Sequence, residues 1–225
     1  PLQPPNSNFM QYGHVADPAR RFYGACVTAM DERIGQVMQA VADNGLTEDT
    51  VVIFLSDHGH SEEADTMGGG GRSDPFRGGK GTLWEGGIRV PCIVSWPGTL
   101  PAGQVRRQPV MSIDLLPTIA RWCQVPLLGL EIDGHDLQSV FDSPRSPSPH
   151  EFMAWTWQKW SAVRSGPWKL VRDGAGIDYL YNLDSDVAEA NNLFQSQPQT
   201  ANRLAALRDA WLDDLRRDPQ AHDWL

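Results

Sequence analysis

A chain of 225 residues, 40% of them hydrophobic, is long enough to bury a core as one domain or as one domain with a small appendage. Its formal charge of -9, with the acidic residues dispersed, excludes a phosphate-backbone binder, which needs concentrated Lys and Arg. Three cysteines without a close pair exclude a complete disulfide framework and a Cys-x-x-Cys zinc site, and no apolar run approaches the ~20 residues that span a bilayer.

Residues 1–16 are rich in Pro, Asn and Gln and read as an irregular approach segment. Asp17-Pro18 then opens a helix, with Asp17 as N-cap and Pro18 at the first helical position, where its missing N–H costs nothing. Phe22, Cys26, Met30, Ile34, Val37 and Val41 recur at three- and four-residue steps and give it one apolar face, and Asn44-Gly45 ends it. The wholly apolar, β-branched run from Val51 to Leu55 predicts a strand buried on both faces, so helix and strand form an α/β unit. Asp57 and His58 follow the carboxyl end of that strand, where open α/β sheets place their ligands.

Residues 59–79 contain Gly68 to Gly71 and Asp74-Pro75 and show neither helical nor strand periodicity; a loop of that length is uncommon unless functional. A second strand is predicted from Ile88 through Val94, closed by the turn Trp96-Pro97-Gly98. Asp114 is expected to cap a helix carrying Leu115, Leu116, Ile119, Ala120 and Trp122, with Pro117 tolerable only in its first turn.

The run from Ser143 to Pro149 is rich in Pro and Ser and marks a boundary between residues 1–142 and a subdomain over residues 150–225. Phe152 to Trp157, Trp160 to Arg164, Trp168 to Arg172 and Tyr179 to Asn182 are short aromatic and β-branched runs separated by turns, which predicts an antiparallel sheet. Leu204, Leu207, Trp211 and Leu215 form the stripe of a final helix capped by Thr200. His14, His135, His150 and His222 lack ligand-like spacing and read as surface histidines, while Trp155, Trp157, Trp160 and Trp168 suit a core.

On residue type alone, Asp57 is as much a turn former as a metal ligand, a histidine such as His58 is more often a hydrogen-bonded structural residue, and a lysine such as Lys80 is most often solvated at the surface. An oxygen from Asp57 suits Ca²⁺ or Mg²⁺, whereas an imidazole nitrogen leans towards Zn²⁺ or Mn²⁺. The glycines around Lys80 let the backbone approach closely or adopt positive φ, which would hold an ammonium beside an anionic ligand. His60, Glu62, Glu63 and Arg72 lie on the long loop within reach of a ligand, though a charged loop is commonly just solvated.

Several linked motifs give these residues a context. Ser56-Asp57-His58-Gly59, the segment Gly79-Lys80-Gly81-Thr82-Leu83-Trp84-Glu85-Gly86-Gly87, Asp114-Leu115-Leu116-Pro117-Thr118, and the pattern Trp168-Lys169-Leu170, Leu180-Tyr181-Asn182-Leu183, Glu189, Asn192-Leu193 together resemble the sulfatase family of the alkaline-phosphatase-like superfamily. The resemblance implies an α/β fold, part of an alkaline-phosphatase-like sheet, with a small antiparallel sheet and terminal helix appended. It implies a hydrolase of sulfate esters, acting on a small molecule or a sulfated glycan, in a periplasmic or secreted setting. Asp57 and His58 would hold the metal, Ca²⁺ ahead of Mn²⁺ or Zn²⁺, and Lys80 would contact the sulfate as a catalytic and substrate-binding residue, with His60 a further candidate.

The family's Cys/Ser-x-Pro-Ser-Arg motif, source of its formylglycine nucleophile, is absent, as are its early Asp-Asp pair and its Pro-His-x-Pro-Leu segment. Pro1-Leu2-Gln3-Pro4-Pro5 is similar to the residues that follow the histidine of that segment, so the chain is expected to match the carboxyl-terminal portion of a longer sulfatase and to lack turnover alone. A phosphonate or phosphodiester hydrolase of the same superfamily, or a degenerate module that binds without chemistry, are the alternatives.

Overall fold

The computed structural model describes residues 3–64 and 68–217. Helix α2 (Pro18–Asp43) starts as its sequence dictates: the Asp17 carboxylate accepts the Ala19 N–H at 3.0 Å and Pro18 opens the first turn. Gly45, at φ 69°, follows its last turn in the left-handed conformation. The approach segment is less irregular than its composition suggests, because α1 (Asn6–Gln11) forms within it. Six residues are too few to be stable alone. Docking onto α2 supplies the difference: buried Asn8 donates to Glu32 at 2.9 Å, and the Phe9 ring lies 4.5 Å from Phe22.

Strand β1 (Val52–Leu55) forms where expected but is not buried on both faces. It pairs antiparallel with β2 (Cys92–Ser95), Val52 opposite Ser95 and Leu55 opposite Cys92, and its residues are half-buried. Its flank opens on an apolar groove shared with Met30, Ile34, Val37 and Met38 of α2. An apolar run records that a strand is coverable, not that both faces are covered.

The second predicted strand begins late. Residues Glu85–Ile88 form a short helix, α3, and the extended segment starts only at Cys92. The reason is steric. A Cβ on Gly86 would strike the Gly78 carbonyl and one on Gly87 the Thr82 carbonyl, so this glycine pair packs directly on the main chain of the preceding loop. The Gly86 N–H donates to Arg77 O at 2.7 Å, which closes the turn.

Helix α4 (Leu115–Trp122) holds Pro117 in its first turn, but Asp114 makes no side-chain cap to it. Asp114 is fully buried and ends a short 3₁₀ turn instead. Its carboxylate accepts the Met111 N–H at 2.7 Å and the His135 N–H at 2.8 Å, and contacts His150 Nε2 at 2.8 Å. His150 is therefore not a surface histidine: its side chain is 6% exposed and its ring stands 4.7 Å from His135. A His outside any periodic element gives no signal of burial. His14 and His135 are exposed, as expected, and His222 lies outside the described residues, as do Pro1 and Leu2. After α5 (Gln138–Asp142), the Pro/Ser-rich stretch is tied down by Gln108, whose amide donates to the Ser143 and Ser146 carbonyls, and by Ser148, which donates to Pro109 O.

Strands β3 (Met153–Trp157), β4 (Trp160–Ser165), β5 (Trp168–Arg172) and β6 (Asp178–Asn182) form the predicted sheet, an antiparallel meander in chain order. Ala162 opposes Val171 and Val163 opposes Leu170, so alternate residues face opposite sides. One face, with Val163, Leu170 and Leu180, packs on Ala201 and Leu204 of the final helix. That helix, α6 (Pro198–Arg217), starts two residues before Thr200, which thus lies within its first turn rather than capping it. Buried Arg208 pins α6 to β6 through Asp178 at 2.8 Å.

The opposite face, with Ala162, Val171 and Tyr181, packs on Leu83 and Trp84 of the glycine-lysine segment. The Trp84 ring stands edge-on to Trp160, Tyr179 and Tyr181 at centroid distances of 5.5, 5.1 and 5.9 Å. Lys169, fully buried on this face, bridges Glu85 Oε1 at 2.8 Å and Glu189 Oε1 at 2.9 Å. The second Glu189 oxygen accepts the Glu85 N–H at 2.6 Å. Burial pushes the Glu85 carboxyl up, but Lys169, Arg164 and Arg89 together outweigh it and hold the group below its ordinary range. For Glu189 burial prevails over Lys169 and the Glu85 N–H, and its pKa is raised.

Two outcomes follow from these buried groups. Asp114→Ala strands two backbone N–H groups and the His150 ring, and is expected to lower the unfolding free energy by about 3 kcal/mol or more in urea titrations. Glu189 binds its proton more tightly folded than unfolded, so its contribution to stability is present below its ordinary pKa of 4.5 and lost as pH rises through the raised value. Gln does not titrate. The stability of Glu189→Gln relative to the unsubstituted chain should therefore climb from about pH 4 towards neutrality, and denaturant melts across that range check the slope.

Candidate functional site

The turn Ser56-Asp57-His58-Gly59 leaves the end of β1 and is laced to the glycine-lysine segment by main-chain bonds. Ser56 N donates to Pro91 O at 3.3 Å, Gly59 N to Gly87 O at 2.9 Å, and Lys80 N to His60 O at 2.9 Å. Ser56 Oγ closes the turn on His58 O at 2.8 Å. Only glycine fits at Gly59, where a Cβ would strike the Gly86 carbonyl. Gly78 and Gly81 adopt φ 75° and 81° on either side of Lys80, and Thr82 Oγ1 donates to Gly79 O at 2.8 Å. The two motifs, apart in sequence, thus form one backbone unit, with no room for a Cβ between Gly59 and Gly86.

On this frame the side chains converge in part. His58 Nδ1 lies 2.8 Å from Gly59 O, and its Nε2 lies 3.1 Å from Asp57 Oδ2. The Asp57 side chain is 83% exposed and that of His58 41%, so a carboxylate oxygen and an imidazole nitrogen meet at solvent. Lys80 Nζ donates to Glu63 Oε2 at 2.8 Å. The hydrogen-bonded Lys80 ammonium, aided by the Ser61 hydroxyl, holds the Glu63 carboxyl below its ordinary range, and His58 adds a smaller pull in the same direction. Glu63 is therefore the carboxylate that engages the lysine on this loop.

His60 sits apart from that face. Its side chain is 11% exposed, its Nε2 is 3.3 Å from Glu62 and its Nδ1 is buried without a hydrogen-bond partner. Gly71 and Gly79 press on its ring, which places it beneath the loop. Arg72 is exposed. Arg89 pairs with Glu85 at 3.5 Å, so these two residues brace the segment. Among the described residues no group of three or more His, Cys, Asp or Glu is arranged to hold a metal ion.

Three side chains that set this geometry had no role assigned from the sequence: Arg77, outside every motif, and Lys169 and Glu189, which stood only as members of the carboxyl-terminal pattern. The Arg77 guanidinium stacks 4.0 Å over Trp84 and donates to Tyr181 Oη at 3.1 Å and Glu189 O at 3.3 Å. A signal for Lys169 existed. It occupies the same strand phase as Val171, the phase of the core face, and a lysine there requires a buried partner.

Comparison with known proteins places this geometry in a family. The family model described as Sulfatase matches residues 3–125. Steryl-sulfatase of Mus musculus is 41% identical over 228 aligned positions, covering 92% of this chain and 35% of that protein. Arylsulfatase A of Homo sapiens is 37% identical, with 88% of this chain and 37% of that protein aligned. Among solved structures, Ps i-CgsB in complex with k-i-k-neocarrahexaose superposes with a TM-score of 0.83 at 25% identity, over 94% of this chain and 47% of that one. The chain spans about a third of the length of the curated relatives it matches. With one α/β unit, a four-stranded antiparallel sheet and the laced glycine-lysine segment all aligned, the chain has the alkaline-phosphatase-like fold and belongs to the sulfatase family.

Proposed function

We propose that this chain contributes the Asp57–His58 metal ligands and the Lys80 sulfate contact of a hydrolase acting on sulfate esters. One observation carries the reading: the hydrogen bonds Gly59 N to Gly87 O and Lys80 N to His60 O hold a ligand pair and a lysine, whose side chains reach solvent, on one backbone unit. Sulfatases act on sulfated substrates, as D-glucosamine-2-N,6-O-disulfate exemplifies for one structural neighbour. The substrate class proposed is a sulfated small molecule or glycan.

Sulfatase-family proteins generally bind a metal. The residues here fit one. Ligands bonded to Ca²⁺ at 2.3–2.6 Å on neighbouring vertices stand roughly 3 Å apart, the spacing of Asp57 Oδ2 and His58 Nε2 at 3.1 Å. The hard carboxylate oxygen favours Ca²⁺, with Mn²⁺ or Zn²⁺ admitted by the imidazole. When bound, the cation would supply charge that draws sulfate oxygens and nucleophile together. Asp57 and His58 orient that charge through the turn that Ser56 closes. Lys80, 38% exposed and already engaged with a carboxylate, holds an ammonium where sulfate oxygens would exchange with Glu63. Its charge offsets the build-up on those oxygens as the ester bond breaks. The Cys/Ser-x-Pro-Ser-Arg nucleophile motif is not among these residues.

Lys80→Ala, made in a catalytically complete sulfatase containing this chain, is expected to lower turnover of a sulfate ester by a factor of about 10² to 10³, as removal of an oxyanion donor does. Because its pair with Glu63 is exposed to solvent, the melting temperature should stay close to that of the unsubstituted protein. A large melting shift with near-normal turnover would make Lys80 a brace instead. Calorimetry tests the ligand pair: two protein ligands leave most of the coordination to water, so this polypeptide should bind Ca²⁺ no tighter than about 10⁻⁴ M and Asp57→Ala should lose the signal. A micromolar site that survives Asp57→Ala would exclude the pair.

A further inference from the structure

Lys80 sits in the middle of a span whose two ends are fixed by groups outside it. At one end Arg77 offers its carbonyl to Gly86 N, while its guanidinium reaches Tyr181 Oη and the Glu189 carbonyl. At the other end Glu85 is held twice, its N–H on a Glu189 oxygen at 2.6 Å and its carboxylate on Lys169 at 2.8 Å. Glu189 and Lys169 are wholly buried and belong to the carboxyl-terminal sheet and the loop after it. Glu189 itself adopts a left-handed φ of 53°, uncommon for a residue with a Cβ. One Glu85 oxygen faces only the Arg89 and Arg164 guanidinium groups, at 3.5 and 3.9 Å, and Glu189 Oε1 meets the Lys169 ammonium at 2.9 Å, so this site is held by charge as well as by fit.

We infer that Glu189, with Lys169, is a positioning residue for Lys80: it fixes the span Arg77 to Glu85, and through it the placement of the lysine relative to the turn to which that span is bonded. The inference rests on the reading of Lys80 as the sulfate contact. Glu189 touches neither substrate nor metal ligands. Its effect passes through the Glu85 N–H to Gly86 and Gly87, and from Gly87 O to Gly59 N, the bond that joins the two motifs. A misplacement of about 1 Å in a reacting group lowers rate about 10²-fold, so a fraction of that shift at Lys80 is enough to be read in turnover.

The variant is Glu189→Gln, isosteric but with an NH₂ where one carboxylate oxygen was, so it cannot accept from both the Glu85 N–H and the Lys169 ammonium. In a catalytically complete sulfatase containing this chain, kcat on a sulfate ester should fall about tenfold or more. In a double-mutant cycle, that loss should vanish once Lys80→Ala is already present. Equal losses with and without Lys80 would overturn the positioning role while leaving Lys80 as the sulfate contact. If Lys80→Ala alone leaves turnover intact, the sulfate contact and the inference both fall. A second readout does not depend on turnover. In this chain, amide exchange at Lys80 and Gly59 should quicken at least about tenfold in Glu189→Gln while β4 and α6 amides hold their rates. Uniform acceleration, or none, would assign Glu189 to general stability and overturn the inference. Should Glu189→Gln not fold, Arg77→Lys, which keeps the charge but loses the fork to Tyr181 and the Glu189 carbonyl, is read in the same two ways.

Discussion

A lysine with no exposure, held between two carboxylates, is the constraint on which the rest of this molecule depends. Lys169 projects from the middle of a four-stranded sheet into a layer otherwise filled by Ala162, Val171, Tyr181 and Trp84. A buried ammonium is tolerable only with close counter-charge, and Glu85 and Glu189 supply it at 2.8 and 2.9 Å. Since Glu85 lies in the glycine-lysine segment and Glu189 after β6, the requirement to neutralise one side chain joins the carboxyl-terminal sheet to the segment bearing Lys80. Apolar contact alone, through Trp84, would bring these layers together; the charges fix their register, as a direction-dependent contact can and a non-directional one cannot.

That arrangement explains why the two faces of the sheet differ. The α6 face is aliphatic, Val163, Leu170 and Leu180 against Ala201 and Leu204, and needs only volume to match. Polar satisfaction at its rim falls to Arg208 and Asp178. The opposite face is aromatic and charged, with Arg77 stacked on Trp84 and three rings edge-on around that indole. Such packing tolerates fewer substitutions and specifies one geometry, which suits the side that holds the glycine-lysine segment in place.

Much of this was legible in the sequence where a local rule governs. The Asp17-Pro18 start of α2, the four strands between Met153 and Asn182 and the stripe of α6 each follow from a cap, a turn or a period, and tertiary packing agrees with them. What escaped was decided by contacts distant in sequence. The residues Glu85 to Ile88 coil because Gly86 and Gly87 lie on the carbonyls of the preceding loop, and no window around Ile88 contains that fact. His150 is buried because Asp114, 36 residues away, needs a partner. The short α1 exists because Phe22 and Glu32 receive it. The Asp57, His58 and Lys80 motifs were readable as types and spacing, whereas Glu63 as the partner of Lys80 required the loop to be folded.

The lacing of the two motifs is made almost wholly of main-chain atoms: Gly59 against Gly86, Gly59 N on Gly87 O, Lys80 N on His60 O. A scaffold whose joints are peptide groups does not care which side chains it displays. Asp57, His58 and Lys80 could be exchanged for other side chains with the underlying loops left as they are, so the same frame can display different groups one residue at a time. The glycines cannot be exchanged in that way, and they, rather than the displayed side chains, are what a lineage descended from this frame would have to keep.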